Sequence, residues 1–308
     1  MRRATFLGLV AALGLCAQVS IQPRPKPPAK EEPRGQSTLR VDTTLILIPV
    51  TVNDPLNRPV TGLEKENFRI FDNKVEQKIT QFAMDDEPVA VGLVFDTSGS
   101  MAAKLRRSRM AAVEFFRLSN PEDEFFLVEF DNEPRLVVPL TADYGHIEDK
   151  LTFSKSKGST ALLDAVYLSL HEMRRSKKRK KALLVISDGG DNHSRYTPKE
   201  VENLVRESDV LIYAIGVFGG DGSVEDPGLL NKIAEQTGAR MFEASASEMP
   251  DIAKKIGIEL RNRYVLGYSP TNQERDGKYH TVEVRVVAPR GMPKLKPFWR
   301  KGYYAPGN

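Results

Sequence analysis

Between residues 89 and 262 short apolar runs alternate with helix-patterned segments, and this alternation does most to narrow the folds open to the chain. Residues 89–95 form an unbroken apolar run, the pattern of a strand buried on both faces. Further strand-like runs follow at 124–130, 135–140, 182–187, 210–217 and 240–243. Helical periodicity appears at 106–118, 162–174, 198–207, 227–237 and 247–260. Pro198 lies in the first turn of one predicted helix, and Gly238 directly follows another, where the backbone preference of each fits. Alternation of this kind predicts an α/β fold: a doubly wound, mostly parallel sheet with helices on both faces.

The flanks have a different grammar. In residues 39–87, the stretch 43–52 is rich in β-branched residues, and 68–71 and 77–82 alternate with period two. Asp72-Asn73 between them reads as a hairpin turn. In residues 263–308, the runs 264–268 and 279–287 alternate in the same way, with Asp276-Gly277 as a turn signal. Neither flank is long enough for a comfortable core of its own. The two are therefore expected to pair as one smaller β-sandwich, with the α/β unit of residues 88–262 inserted between them.

Arg2 and Arg3 precede an apolar stretch from 4 to 17 that ends in small residues, the layout of a secretory signal peptide over residues 1–20. Residues 21–38 are rich in proline and lysine and read as a linker. Cys16, the only cysteine, falls in the expected signal peptide, and Leu15 before it argues against lipidation. These features predict an exported protein, periplasmic or secreted rather than lipid-anchored. The mature chain would then have no disulfide, thiolate metal site or cysteine nucleophile. The net charge of +4 is too small to argue for nucleic acid. The basic run 174–181 lies at the amino end of a predicted strand. It reads as solvated surface, with envelope or membrane-surface contact as its other use.

The first buried strand runs into Asp96-Thr97-Ser98-Gly99-Ser100, which offers three hard oxygen ligands from one turn at a strand's carboxyl end, where open α/β sheets place their sites. Gly158-Ser159-Thr160 enters a helix with a hydroxyl at Thr160, and a later strand ends at Asp188. Oxygen-only ligands favour Mg²⁺, with Mn²⁺ or Ca²⁺ as the other hard cations, over zinc. With so few charged ligands the cation keeps affinity for an incoming carboxylate.

Asp96-Thr97-Ser98-Gly99-Ser100 resembles the Asp-x-Ser-x-Ser signature of von Willebrand factor A domains, and Thr160 and Asp188 match the other two positions of that family's metal-ion-dependent adhesion site. The resemblance spans about residues 88–262. It implies that Asp96, Ser98, Ser100 and Thr160 coordinate a divalent cation directly or through water, with Asp188 closing the shell and a ligand acid taking the open position. The flanks, notably Val60-Thr61-Gly62-Leu63, Tyr264-Val265-Leu266-Gly267-Tyr268 and Gly302-Tyr303-Tyr304, resemble bacterial exported proteins of this kind. The expected function is metal-dependent adhesion or scaffolding through an Asp or Glu of a protein ligand, without nucleic acid and without catalysis. The alternative is a structural subunit of an envelope complex with the domain permanently docked. A hydrolase is the weakest reading. Ser98 lacks the glycines of a nucleophile elbow, and nothing in the sequence orients His193 as a base. Asp164 and Asp191 divide between supporting the site and capping a turn.

Overall fold

The computed structural model describes residues 45–218, 225–245, 247–272 and 276–307. The expected signal peptide and linker, with Cys16, lie outside the described residues. The strands are β1 (Ile46–Asn53), β2 (Phe68–Asp72), β3 (Val75–Gln77), β4 (Gln81–Asp85), β5 (Val89–Asp96), β6 (Glu124–Phe130), β7 (Pro134–Thr141), β8 (Lys180–Ser187), β9 (Leu211–Gly216), β10 (Met241–Glu243), β11 (Arg263–Tyr268), β12 (Tyr279–Val286), β13 (Lys296–Trp299) and β14 (Gly302–Tyr304). The helices are α1 (Leu105–Phe116), α2 (Tyr144–Phe153), α3 (Leu162–Met173), α4 (Pro198–Glu207), α5 (Pro227–Thr237) and α6 (Met249–Arg261). Among the described residues no helix is long and apolar enough to cross a membrane.

Six strands form the central sheet in the order β10-β9-β8-β5-β6-β7, parallel throughout except for β7, which runs antiparallel to β6. This is the expected doubly wound α/β sheet. All eight residues of β5 are buried, because helices cover both faces. Val91, Leu93 and Phe95 join Phe116 of α1 and Ile256 and Leu260 of α6 in one core. Ala90 and Val94 face the other way, into a core with Leu163 and Val166 of α3 and Ile233 of α5. Gly92 shares this second direction. A Cβ there would fall 2.1 Å from Phe126 Cζ and 2.7 Å from Leu183 Cδ2. Gly92→Ala is therefore expected to cost about 1–3 kcal/mol by overpacking. Urea denaturation measures the loss; an unchanged midpoint would mean that the Phe126 ring has room to move.

α2 has no counterpart among the predicted elements. It buries only Ile147 and Leu151, so its apolar stripe is too narrow to show as periodicity. What starts it is Asp143, whose side chain accepts from Gly145 N. α5 stops as expected at Gly238, which adopts φ +84°.

The flanks pair as the two sheets of the expected sandwich. One four-stranded sheet has the order β13-β1-β11-β4 and the other β14-β12-β2-β3, both antiparallel. The Asp72-Asn73 turn closes the β2–β3 hairpin, with Asn73 and Lys74 both at positive φ, as a primed turn requires. Asp276-Gly277 does not close a hairpin. β11 pairs with β1 and β4 while β12 pairs with β2 and β14, so this turn lies on a passage between sheets. The 77–82 run divides in the same way: Gln77 ends β3 in one sheet, and Gln81 opens β4 in the other. Between the sheets Asp72 accepts from Tyr268 Oη (2.9 Å) and Tyr303 Oη (2.7 Å) and lies 3.0 Å from His280 Nδ1, joining residues from both flanks in one buried polar network.

The described residues make one compact unit. Where the sandwich meets the central sheet, Glu259 of α6 is fully buried and accepts from Arg240 Nη2 (2.7 Å) and from Asn53 Nδ2 of β1 (3.3 Å).

Candidate metal centre

β5 delivers Asp96 to the carboxyl end of the sheet, fully buried. Its Oδ1 accepts from Ser98 N (2.8 Å), an Asx turn that bends the chain, and its Oδ2 accepts from Ser187 Oγ at the end of β8 (2.6 Å). The Ser98 and Ser100 hydroxyls are 3.1 Å apart. The second segment is fastened to this turn through the backbone: Lys157 N donates to Thr97 O (2.8 Å), Gly99 N donates to Gly158 O (3.0 Å), and Ser156 Oγ donates to Ser98 O. Gly158 has φ +76°, and a Cβ there would meet Asn132 Oδ1 at 2.7 Å, so the close approach of this loop needs glycine.

Thr160, nearly buried, is held to the third segment. Its N–H donates to Asn192 Oδ1 (2.9 Å), and its carbonyl accepts from Asn192 N (3.0 Å) and His193 N (3.1 Å). Asp188, also buried, follows β8, which lies beside β5 with Phe95 opposite Ile186. The hydrogen bonds thus draw all three predicted segments to one edge of the sheet.

Burial pushes the Asp96 carboxyl up to about 6, against the hydrogen bonds from Ser187 and Ser98; the nearby Asp188 raises it further. Asp188 Oδ2 is buried and, among the described residues, has no hydrogen-bond donor and one counter-charge, Lys104 Nζ at 3.6 Å. Among the described residues no group of three or more His, Cys, Asp or Glu side chains could hold a metal. The oxygen donors gathered here are instead hydroxyl-rich: the carboxylates of Asp96 and Asp188 with the hydroxyls of Ser98 and Ser100, and Thr160 on the segment hydrogen-bonded to both neighbours. An orphaned carboxylate oxygen and a carboxyl that resists ionisation are features a hard cation would relieve, so these residues fit one.

A raised carboxyl in the folded state means that the unfolded chain loses its proton first. Without metal, Asp96 therefore contributes less stability as pH rises from about 4 toward about 6. The difference in stability between the parent and Asp96→Asn, measured by urea denaturation in a chelator, is expected to move in the variant's favour over that interval by about 3 kcal/mol. Parallel pH profiles would contradict it.

Sequence reasoning missed two residues at this centre. Ser187 orients Asp96, as above. Lys104, only 6% exposed, donates to Val217 O (2.8 Å) and stands 3.5 Å from Glu225 Oε1. A lysine just before a helix opposes the helix dipole, and that was the available signal that another group holds it. Asp164 and Asp191 are taken up by structure. Asp191 Oδ2 accepts from Leu163 N and Ser194 Oγ, and Asp164 Oδ1 accepts from Arg195 N and Tyr196 N. The Ser98 hydroxyl meets Ser100, and His193 is held to Thr160 by its backbone N–H. At the opposite end of the sheet three of the seven cations of the basic run are paired among the described residues: Lys180 is buried on Asp85, Arg179 meets Glu87 and Arg175 meets Glu172. Of the other four, Arg174 and Lys177 are exposed and Lys178 and Lys181 half-buried.

The von Willebrand factor type A domain family matches residues 91–190. An uncharacterized protein of Borreliella burgdorferi is 26% identical over 202 residues, 55% of this chain and 59% of that protein. Mouse inter alpha-trypsin inhibitor heavy chain 4 is 26% identical over 222 residues, 65% of this chain and 24% of that protein. The chain thus spans less than two thirds of the length of either relative. Among solved structures, a von Willebrand factor type A protein from Catenulispora acidiphila superimposes with a TM-score of 0.52 at 12% identity, over 86% of this chain and 74% of that one, which shows a shared fold.

Proposed function

For a chain whose central unit has the von Willebrand factor type A fold, we propose an exported, non-enzymatic binding protein that holds one divalent cation, Mg²⁺ by preference, through Asp96, Ser98, Ser100, Thr160 and Asp188. The cation bridges to an Asp or Glu of a protein ligand. The observation that carries this reading is the buried Asp188 Oδ2 without a hydrogen-bond donor, beside two hydroxyls in mutual contact and a second buried carboxylate. Two carboxylates partly offset by Lys104 leave a bound dication under-neutralised, and that residual charge is what an incoming carboxylate would satisfy. The chain supplies the ligand oxygens and holds them through the Ser187 and Asn192 hydrogen bonds, with Gly99 exposed and Ser100 half-buried at the rim of the turn.

Titrating acetate into the Mn²⁺-loaded protein, with water-proton relaxation as readout, tests the bridge. Acetate is expected to displace metal-bound water and lower the relaxation enhancement, while acetamide leaves it unchanged. An enhancement indifferent to acetate contradicts a metal open to carboxylates.

One observation favours a fixed scaffold over a domain whose last helix shifts on binding. α6 is tied to β1 through the buried Glu259–Asn53 contact and to the sheet through Arg240. Permanent docking within an envelope complex would suit that tie. In that case removing metal would lower the melting temperature without releasing the partner.

A further inference from the structure

The segment after α2 borders the Asp96–Ser100 turn, to which it is hydrogen-bonded. Its anchors point inward: Ser154 is buried and donates to Glu129 Oε1, and Ser156 and Lys157 bond to Ser98 and Thr97 as described. What this segment turns outward is of another kind. Phe153 is 78% exposed, the most exposed large apolar side chain among the described residues, and Lys155 and Lys157 are exposed on either side of Ser156. Among the described residues neither lysine has a carboxylate within ion-pair distance. The exposed acid of the adjoining loop, Glu133, stands near Arg135 instead. A loop hydrogen-bonded to the Asp96–Ser100 turn that presents two cations without ion-pair partners and a bare aromatic ring repels basic surfaces and favours acidic, partly apolar ones.

We propose that the partner of this site is an acidic protein segment bearing an apolar side chain: one acid on the metal, a second against Lys155 and Lys157, and the apolar group against Phe153. This rests on the metal-bridged reading above and adds to it what lies beside the bridging acid.

The test uses the full chain in millimolar Mg²⁺ and three blocked peptides, followed by NMR titration: a single Asp among glycines, the same with a second Asp, and the same with the second Asp and a Leu. The third is expected to bind about tenfold more tightly than the first, from one added charge contact and one buried apolar side chain. Lys155→Glu combined with Lys157→Glu removes the gain from the second Asp, and Phe153→Ser removes the gain from Leu. Phe153→Ser leaves the single-Asp peptide within about twofold, since that position is exposed and lies outside the ligand set, and the lysine variant is read as the ratio of the two-Asp to the one-Asp affinity. Equal affinity for the three peptides, or gains that survive the substitutions, overturns the proposal while leaving the metal bridge standing. Gains that persist in a chelator and vanish with Lys155→Glu and Lys157→Glu support the proposed rim and remove the bridge.

Discussion

Replacing Lys104 by methionine is expected to destabilise the metal-free protein by about 3–5 kcal/mol and to tighten Mg²⁺ binding by about tenfold or more. The ammonium lies 3.6 Å from Asp188 Oδ2, both side chains almost fully buried, and is the one cation paired with that carboxylate among the described residues. A unit pair at about 4 Å interacts by roughly 4 kcal/mol at the effective dielectric suited to proteins. Methionine keeps the apolar stem and removes the charge, so Asp188 is left buried and unpaired until a dication arrives. The same substitution lifts the repulsion between the ammonium and the metal, and Mg²⁺ should recover much of the lost stability. Urea denaturation in chelator and in Mg²⁺, with calorimetric titration of both proteins, separates the two effects. A variant that is destabilised yet binds Mg²⁺ no more tightly would show that Lys104 only braces Asp188.

Arg240→Met is expected to cost a similar amount, about 3–5 kcal/mol, for a reason remote from the metal. Glu259 is fully buried, and Arg240 is its ion-pair partner at 2.7 Å, with the guanidinium also 4.2 Å from the Phe242 ring centroid and 4.8 Å from that of Phe298. Without the arginine, a carboxylate with one oxygen already unpartnered keeps, among the described residues, the Asn53 amide as its hydrogen-bond donor and the charge of the buried Arg263 nearby. Chemical denaturation reads the loss. The double variant Arg240→Met, Glu259→Met should recover most of it, since removing both charges removes the desolvation cost as well. A single variant within about 1 kcal/mol of the parent would show that the contact between α6 and the sandwich does not depend on this pair.

The central sheet was legible because β5, β8 and β9 are buried on both faces and leave continuous apolar runs, while α4 and α5 carry their own start signals in Pro198 and Pro227 and α5 ends at Gly238. α2 was not, because two buried residues among polar neighbours leave little periodicity. Pairing of the two flanks as one sandwich followed from their insufficient length, but the assignment of each strand to one or other sheet did not. Period two shows which faces are buried without saying which strands share a sheet, and turns such as Asp276-Gly277 look alike on a hairpin and on a crossover. At the candidate site the segments carrying Asp96, Thr160 and Asp188 were visible as strand ends and a helix entry. Lys104 and Ser187 were not, since what each does depends on where another strand ends: Val217 after β9 for the first, Asp96 of β5 for the second.

The most direct test of a cation held by this turn is calorimetric titration of Mg²⁺ into the purified protein beside Asp96→Ala. Saturable, one-to-one heat in the parent and none in a folded Asp96→Ala is the predicted result. A folded parent that takes up no Mg²⁺, or a variant that binds as the parent does, would contradict it.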